Sequence, residues 1–224
     1  MTATPKIVAI GLVDSEGIAS ASGLSRTWAE LDSKPPGSIR ALRSLTDKKD
    51  QTFRRLNRPT RAIVLAAEAC GVSQLLSIEE RDTTGLVIES QTGCIECDLR
   101  YAKLLKAGLV HAAIFPYTLP STCLGDITLR HGLRGPSLSL SIERGEEGEA
   151  LREAGRLLQA GDCDFVLGGV VEGLDESLPG VEPILYAVVC LIAASHIKLP
   201  AVAAWPGAER DPFAALASAC RTRL

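Results

Sequence analysis

The chain has 224 residues, a formal net charge of −3, and an apolar fraction of 46% of which aromatics make up little, at 4% of all residues. That length fits one large domain or two small ones, and the slight acidity excludes the global electrostatic footprint of a nucleic-acid-binding protein. The strongest candidate for a membrane span, Ile184–Ala194, is only strand-length. The N-terminus lacks a basic start followed by an apolar run and a cleavage site, so no export signal is read. Seven cysteines make an odd count, and Cys70, Cys163 and Cys190 sit inside apolar runs. That usage suits buried free thiols in a reducing compartment, and a cytoplasmic protein is expected.

Lys6–Val13 reads as a first strand, and Thr27–Asp32 as a short helix ended by Pro35-Pro36-Gly37. Ser38–Asn57 is basic and polar. Pro59 then opens a helix over Thr60–Ala69, closed by Gly71. Thr84–Ser90 reads as a strand and Asp98–Ala107 as a helix ending at Gly108. Pro116–Pro120 is a loop, and Ser121–His131 a helix closed by Gly132. Ser137–Ile142 is the next strand. Glu146–Ala160 is a helix with Ala150, Leu151, Ala154, Leu157 and Leu158 on one face, stopped by Gly161. Phe165–Val171 and Tyr186–Ala194 are near-continuous apolar strands, the pattern of burial on both faces. Lys198–Leu224 is Pro- and Ala-rich and weakly patterned. Strands alternating with helices predict an α/β sheet covered on both faces. Residues 1–224 are read as a single domain with 198–224 as a loosely specified C-terminal segment.

The junction between Ser137–Ile142 and the following helix reads Ile142-Glu143-Arg144-Gly145-Glu146-Glu147. A strand-to-helix elbow of this kind is a common seat for a nucleophile, yet it holds no Cys, Ser or Thr. The stretch around it, PYTLPSTCLGDITLRHGLRGPSLSLS over 116–141, resembles the run before the active site of β-ketoacyl synthases. In that family a Gly-Leu-x-Gly-Pro-Ser segment enters a buried strand that leads to a Cys at a helix N-terminus. Gly161-Asp162-Cys163-Asp164-Phe165-Val166-Leu167-Gly168-Gly169-Val170 is similar to the family's next segment, and Arg54–Ala69 to its basic-then-Ala-rich helix. The resemblance runs over roughly 6–195 and is most specific over 132–170. It implies a thiolase-like half with a mixed five-stranded sheet flanked by helices.

Two departures set the functional expectation. Aligning Gly135-Pro136-Ser137 with the family motif puts the catalytic Cys position at Arg144, which stays protonated and cannot serve as an acyl nucleophile. Family enzymes also have a second, similar half that supplies two histidines. His111, His131 and His196 of this chain lie outside any position that could replace them. The resemblance therefore implies a non-catalytic subunit similar to a chain-length factor, paired with an active ketosynthase and an acyl carrier protein in fatty-acid or polyketide-type elongation. No cofactor and no metal are assigned. Two other readings stay open: a self-sufficient enzyme using Glu143, Glu147 or the Cys94/Cys97 pair, and an acyl-binding homodimer.

The remaining candidates each carry an alternative. Arg144, with Glu143, Glu146 or Glu147 as partner, is either a charged plug in a lost active site or part of an acid/base site. Gly148 and Gly155, seven apart, mark either a close backbone contact or two tolerated glycines. Cys94-Ile95-Glu96-Cys97 is either a redox pair or two incidental thiols. Arg54, Arg55 and Arg58, with Lys48, Lys49 and Arg61, form either a carrier-docking face or a solvated one. Phe115, Tyr117 and Cys123 are candidates for a pocket or interface. Half of a thiolase-type fold leaves one layer uncovered, so a homo- or hetero-oligomer is expected, joined through the edge of Ser137–Ile142.

Overall fold

The computed structural model describes residues 4–46, 50–174, 182–206, 209 and 211–222. The apolar run Lys6–Val13 forms β1, buried at every residue but Lys6. Asp14 then turns the chain: its carboxylate accepts the N–H groups of Glu16 at 2.9 Å and Gly17 at 3.1 Å. β2 (Gly17–Ser20) and β3 (Ser25–Thr27) follow as a short antiparallel ribbon. The helix expected over Thr27–Asp32 is instead strand end and turn. Glu30 accepts from the Thr27 N–H at 2.7 Å and the Trp28 indole donates to the Asp14 carbonyl at 3.0 Å, which ties the segment to β1 before a helix can extend.

α1 (Ile39–Leu45) is capped by the Ser38 hydroxyl. A 3-10 turn, Thr52–Arg55, leads into α2 (Arg58–Cys70), where Asn57 accepts from the Thr60 N–H and Pro59 occupies the first turn. Every residue of α2 except Arg58 and Arg61 is buried. α3 (Val72–Leu75) and α4 (Ile78–Thr83) are short, the second closed by a Ser77–Glu80 capping box. β4 (Gly85–Ser90) leads to α5 (Ile95–Lys106), which begins three residues before the expected start. A 3-10 turn at Phe115–Thr118, α6 (Thr122–His131) and β5 (Ser137–Ser141) follow. Then come α7 (Glu149–Ala160), β6 (Phe165–Leu174), β7 (Ile184–Ala193) and α8 (Pro212–Arg221).

The sheet has seven strands in the order β3-β2-β1-β7-β6-β4-β5. The five strands read from the sequence are all present, and the β2–β3 ribbon extends them. β4 is parallel to both neighbours, while β7 is antiparallel to both β6 and β1. α2 and α6 pack on one face of the sheet; α7 and α8 pack on the other. The mixed sheet flanked by helices is thus the expected class.

The weakly patterned C-terminal segment does fold onto the core. Asp211 caps α8, Phe213, Leu216 and Cys220 are buried beside β1 and β2, and Arg221 pairs with Asp14 at 2.5 Å. The α7 layer is closed in the same way. Its outer side carries Glu149–Arg152 and Glu153–Arg156 ion pairs at 3.0 and 2.6 Å. The Trp205 ring lies 3.6 Å from where a Cβ on Gly155 would sit. Among the described residues, charged side chains and Trp205 thus occupy the outer side of α7. Exposed apolar side chains gather elsewhere, at Ile95, Leu99, Leu109, Val110, Phe115 and Leu119, on α5 and the loop after it.

Candidate functional site

The elbow after β5 is a self-bonded turn. The Glu143 N–H donates to Glu146 Oε2 at 3.0 Å and the Gly145 N–H to Glu147 Oε1 at 3.1 Å. Glu147 Oε1 also takes the Gln91 side-chain amide at 2.8 Å. α7 begins at Glu149, three residues later than the sequence suggested, because Gly148 adopts φ +92° and lies outside the right-handed helix. A Cβ on Gly148 would meet Pro212 Cγ at 2.4 Å, so this glycine admits the start of α8, not a second backbone inside a helix.

Arg144 sits exposed at the tip of the turn. It forms no ion pair with the described residues, and it lines an open pocket with Gly145, Glu147 and Asp211. The acid that meets the start of α7 comes from β4. Glu89 is fully buried; its Oε1 accepts the Gly148 N–H at 2.8 Å and its Oε2 accepts the Ala150 N–H at 2.6 Å. These are free donors of a helix N-terminus, where a negative charge is favoured by the aligned peptide dipoles. Burial nevertheless pushes the Glu89 carboxyl above its ordinary range, and the two N–H donors pull against that shift. At the surface of the same turn, Arg152 holds Glu149 below the usual carboxylate range.

Glu89 was not selected from the sequence. The available signal was a single acid directly after the apolar run Gly85–Ile88, at the alternating position, two after Val87, that faces α7. Glu143 is exposed and Glu147 is committed to the turn. The three histidines lie elsewhere. His131 is buried and exchanges a hydrogen bond with Ser73 at 2.9 Å, His196 faces Asp164 at 3.1 Å, and His111 lies on the loop after α5.

A cleft of about 440 Å³, counted with its open mouth, lies on the α2 side where β4 and β5 end. Tyr117 and Cys123 line it, together with Pro59, Cys94, Leu119 and Ser139. Phe115 stands outside, half exposed, its ring 5.7 Å from that of Tyr101. The thiols here are not activated. Burial pushes Cys123 up to about 12 and, with Asp98 and Cys97 adding to it, Cys94 to about 11. Cys97 is buried, accepts from the Asn57 amide at 3.2 Å and is raised as well. Thiolate chemistry needs the opposite shift. Among the described residues no group of three His, Cys, Asp or Glu side chains is placed to hold a metal, and no helix is long and apolar enough to cross a membrane.

Of the basic candidates, Arg54 and Arg55 are exposed on the 3-10 turn and Arg58 is half-buried at the start of α2. Lys48 and Lys49 lie outside the described residues.

No family model matches the chain. It is 28% identical over 141 residues to 3-oxoacyl-[acyl-carrier-protein] synthase 2 of Rhizobium meliloti (strain 1021), an alignment spanning 61% of this chain and 33% of that protein. The chain thus spans about a third of the curated relative it matches. Among solved structures, the ishigamide ketosynthase/chain length factor superposes with a TM-score of 0.68 at 17% identity, covering 88% of this chain and 64% of that one. The ketosynthase ApeO in complex with its chain length factor ApeC from Xenorhabdus doucetiae gives 0.60 at 22% identity, covering 85% and 79%. At these identities the structural likeness establishes the fold: the resemblance read from 116–141 is to proteins with the same thiolase-like half.

Proposed function

We propose that this ketosynthase-like chain, which carries part of the thiolase-like fold, is a non-catalytic subunit of a chain-elongation complex, similar in role to a chain-length factor. The observation that carries this reading is that Glu89 of β4 caps the first turn of α7. A helix start of that kind lowers the pKa of a nucleophilic thiol by offering it free N–H groups and a positive pole. Here both donors are taken by the chain's own buried carboxylate. A nucleophile placed at the elbow would face a negative charge where it needs a positive field. Arg144, at the nucleophile-equivalent position, adds an exposed cation that cannot be acylated.

The exposed side of the molecule supports the partner half of the reading. Among the described strands β5 pairs only with β4, and its residues are exposed or half-buried. Leu119 lines the same cleft as Ser139–Ser141 of β5, and α5, packed on the Phe115–Thr118 turn, carries further uncovered side chains. An open strand edge with adjacent apolar surface is the kind of feature that folded proteins cover. An active ketosynthase subunit is the proposed occupant. The cleft at Tyr117 and Cys123 would then help shape a shared acyl pocket, and Arg54, Arg55 and Arg58 would face an acidic carrier protein.

Co-expression with a ketosynthase and carrier protein from the same genomic neighbourhood tests this. A heterodimer, with product length altered by Leu119→Trp or Tyr117→Ala, is the expected result. Condensation by the isolated chain, or failure to form any complex with the ketosynthase, overturns it; a stable homodimer holding an acyl chain supports the acyl-binding alternative instead.

A further inference from the structure

A second pocket lies away from the elbow, between the start of α1, the Thr52–Arg55 turn and α2. It is an open hollow of about 770 Å³. Three guanidinium groups line it, one from each element: Arg40, Arg54 and Arg61. The single carboxylate in the lining is Asp32, which is exposed and already paired with Arg40. Three cations against one anion leave the lining at a formal +2.

The walls are fixed by the fold. The Arg61 Nη2 donates to the Arg54 carbonyl at 2.6 Å, which ties α2 to the 3-10 turn. Its Nε is buried and meets no hydrogen-bond partner among the described residues. Gly37, at φ +98°, sets the loop before α1 directly on the core: a Cβ there would lie 2.7 Å from Leu65 and 3.0 Å from Trp28. Ser38 spends its hydroxyl on the Arg40 N–H, which fixes the start of α1. Phe53, buried, forms part of the lining between the charges.

A carboxylate takes one guanidinium fork in its plane. A tetrahedral phosphate offers oxygens in several directions and accepts from forks that converge from different sides. Three arginines from three elements around one hollow, with a lining charge that a dianion neutralises, match the second ligand. We propose that this pocket binds the phosphate group of a phosphate ester. The ester is either a soluble phosphomonoester or a phosphate carried on a protein serine; the lining reads the shared phosphate. The site shares Arg54 and Arg61 with the basic set read as a carrier-docking face, but it does not depend on a ketosynthase partner and is tested without one.

The test is a titration of the full chain with inorganic phosphate in a low-salt chloride buffer, followed by calorimetry and phosphorus NMR line width. Saturable binding is expected, weakened about tenfold or more by Arg40→Gln and by Arg61→Gln, as for the loss of a charge-assisted fork. Arg43→Gln, exposed on α1 but outside the pocket lining, is expected to leave it unchanged. Should Arg61→Gln fail to fold, Arg40→Gln decides, because Arg40 is exposed and its removal leaves the core untouched. No saturable binding, or equal weakening by Arg43→Gln, overturns the proposal, the second outcome marking a diffuse basic surface. Parallel titrations with coenzyme A and with a phosphoserine peptide identify the source as the one that binds more tightly with the same arginine dependence.

Discussion

The two sides of the parallel end of the sheet handle their polar and apolar groups in opposite ways. On the α7 side most groups are answered within the chain: Glu89 takes free N–H groups, ion pairs coat the outer face, and Trp205 and α8 complete the layer, while the Tyr186 hydroxyl is buried without a hydrogen-bond partner among the described residues. On the α5 side the chain leaves work undone. α5 buries only Cys97, Phe115 and Leu119 stand half exposed, and β5 offers a free edge. The difference shows which surface is finished. The expectation drawn from the resemblance put the partner contact at the edge of Ser137–Ile142, and β5 is the outermost of the described strands on that side.

The sharpest way to break this comparison is to empty the α7 pole. Glu89→Leu leaves two buried N–H groups without acceptors and is expected to destabilise the fold by about 3 kcal/mol in urea denaturation, since each orphaned donor costs roughly 1–3 kcal/mol. A neutral outcome would mean that this pole is not held by Glu89. Gly148→Ala comes next. It forces a left-handed residue and a clash with Pro212, for an expected loss of about 2 kcal/mol in the same measurement.

The other side gives smaller effects on stability. Leu138→Lys on β5 and Leu119→Asp are expected to change unfolding free energy by less than about 0.5 kcal/mol, as exposed sites do. They should weaken association with a ketosynthase partner by about tenfold or more, read by sedimentation or calorimetry. If either variant unfolds the chain, that surface is part of the core and the contrast fails.

A pH series refines the first prediction. The folded-state pKa of Glu89 is raised above its ordinary 4.5, so the folded chain holds this proton longer than the unfolded one. Stability from this group is full below the ordinary value and is lost as pH rises through the raised one. Glu89→Gln is expected to flatten that decline in a series of melts from about pH 4 upward. The smallest effect concerns the cleft: with Cys94 pushed up to about 11, its alkylation by iodoacetamide is expected to stay slow at neutral pH and to climb about tenfold per pH unit toward that value.

What the sequence disclosed was local. Pro59 and Gly71 bounded α2 because a fixed φ and a left-handed cap act within one turn. Gly132 and Gly161 stopped α6 and α7 for the same reason. The long apolar runs of β6 and β7 announced burial on both faces. What stayed hidden depended on distant partners. β2 and β3 are too short to show a pattern, and exist because they hydrogen-bond to β1 and to each other. α8 has few large side chains and is recognisable by what Phe213 and Leu216 pack against. Glu89 looked like a stray acid, since its partners at Gly148 and Ala150 lie about sixty residues on. Arg144 was legible as a substitution at an elbow, but its exposure was not.

The place of β7 in the sheet has a consequence for synthesis. It bonds to β1 on one side and β6 on the other, so among the described residues the β3-β2-β1 ribbon and the β6-β4-β5 parallel unit are hydrogen-bonded into one sheet only through it. Until residue 193 leaves the ribosome, the two pieces carry apolar edges with nothing to pair with. Joining of the two pieces is thereby postponed until β7 has been made, and contacts so far apart in sequence form slowly. A nascent chain arrested before residue 184 should bind holdase chaperones strongly, whereas one released past α8 should not.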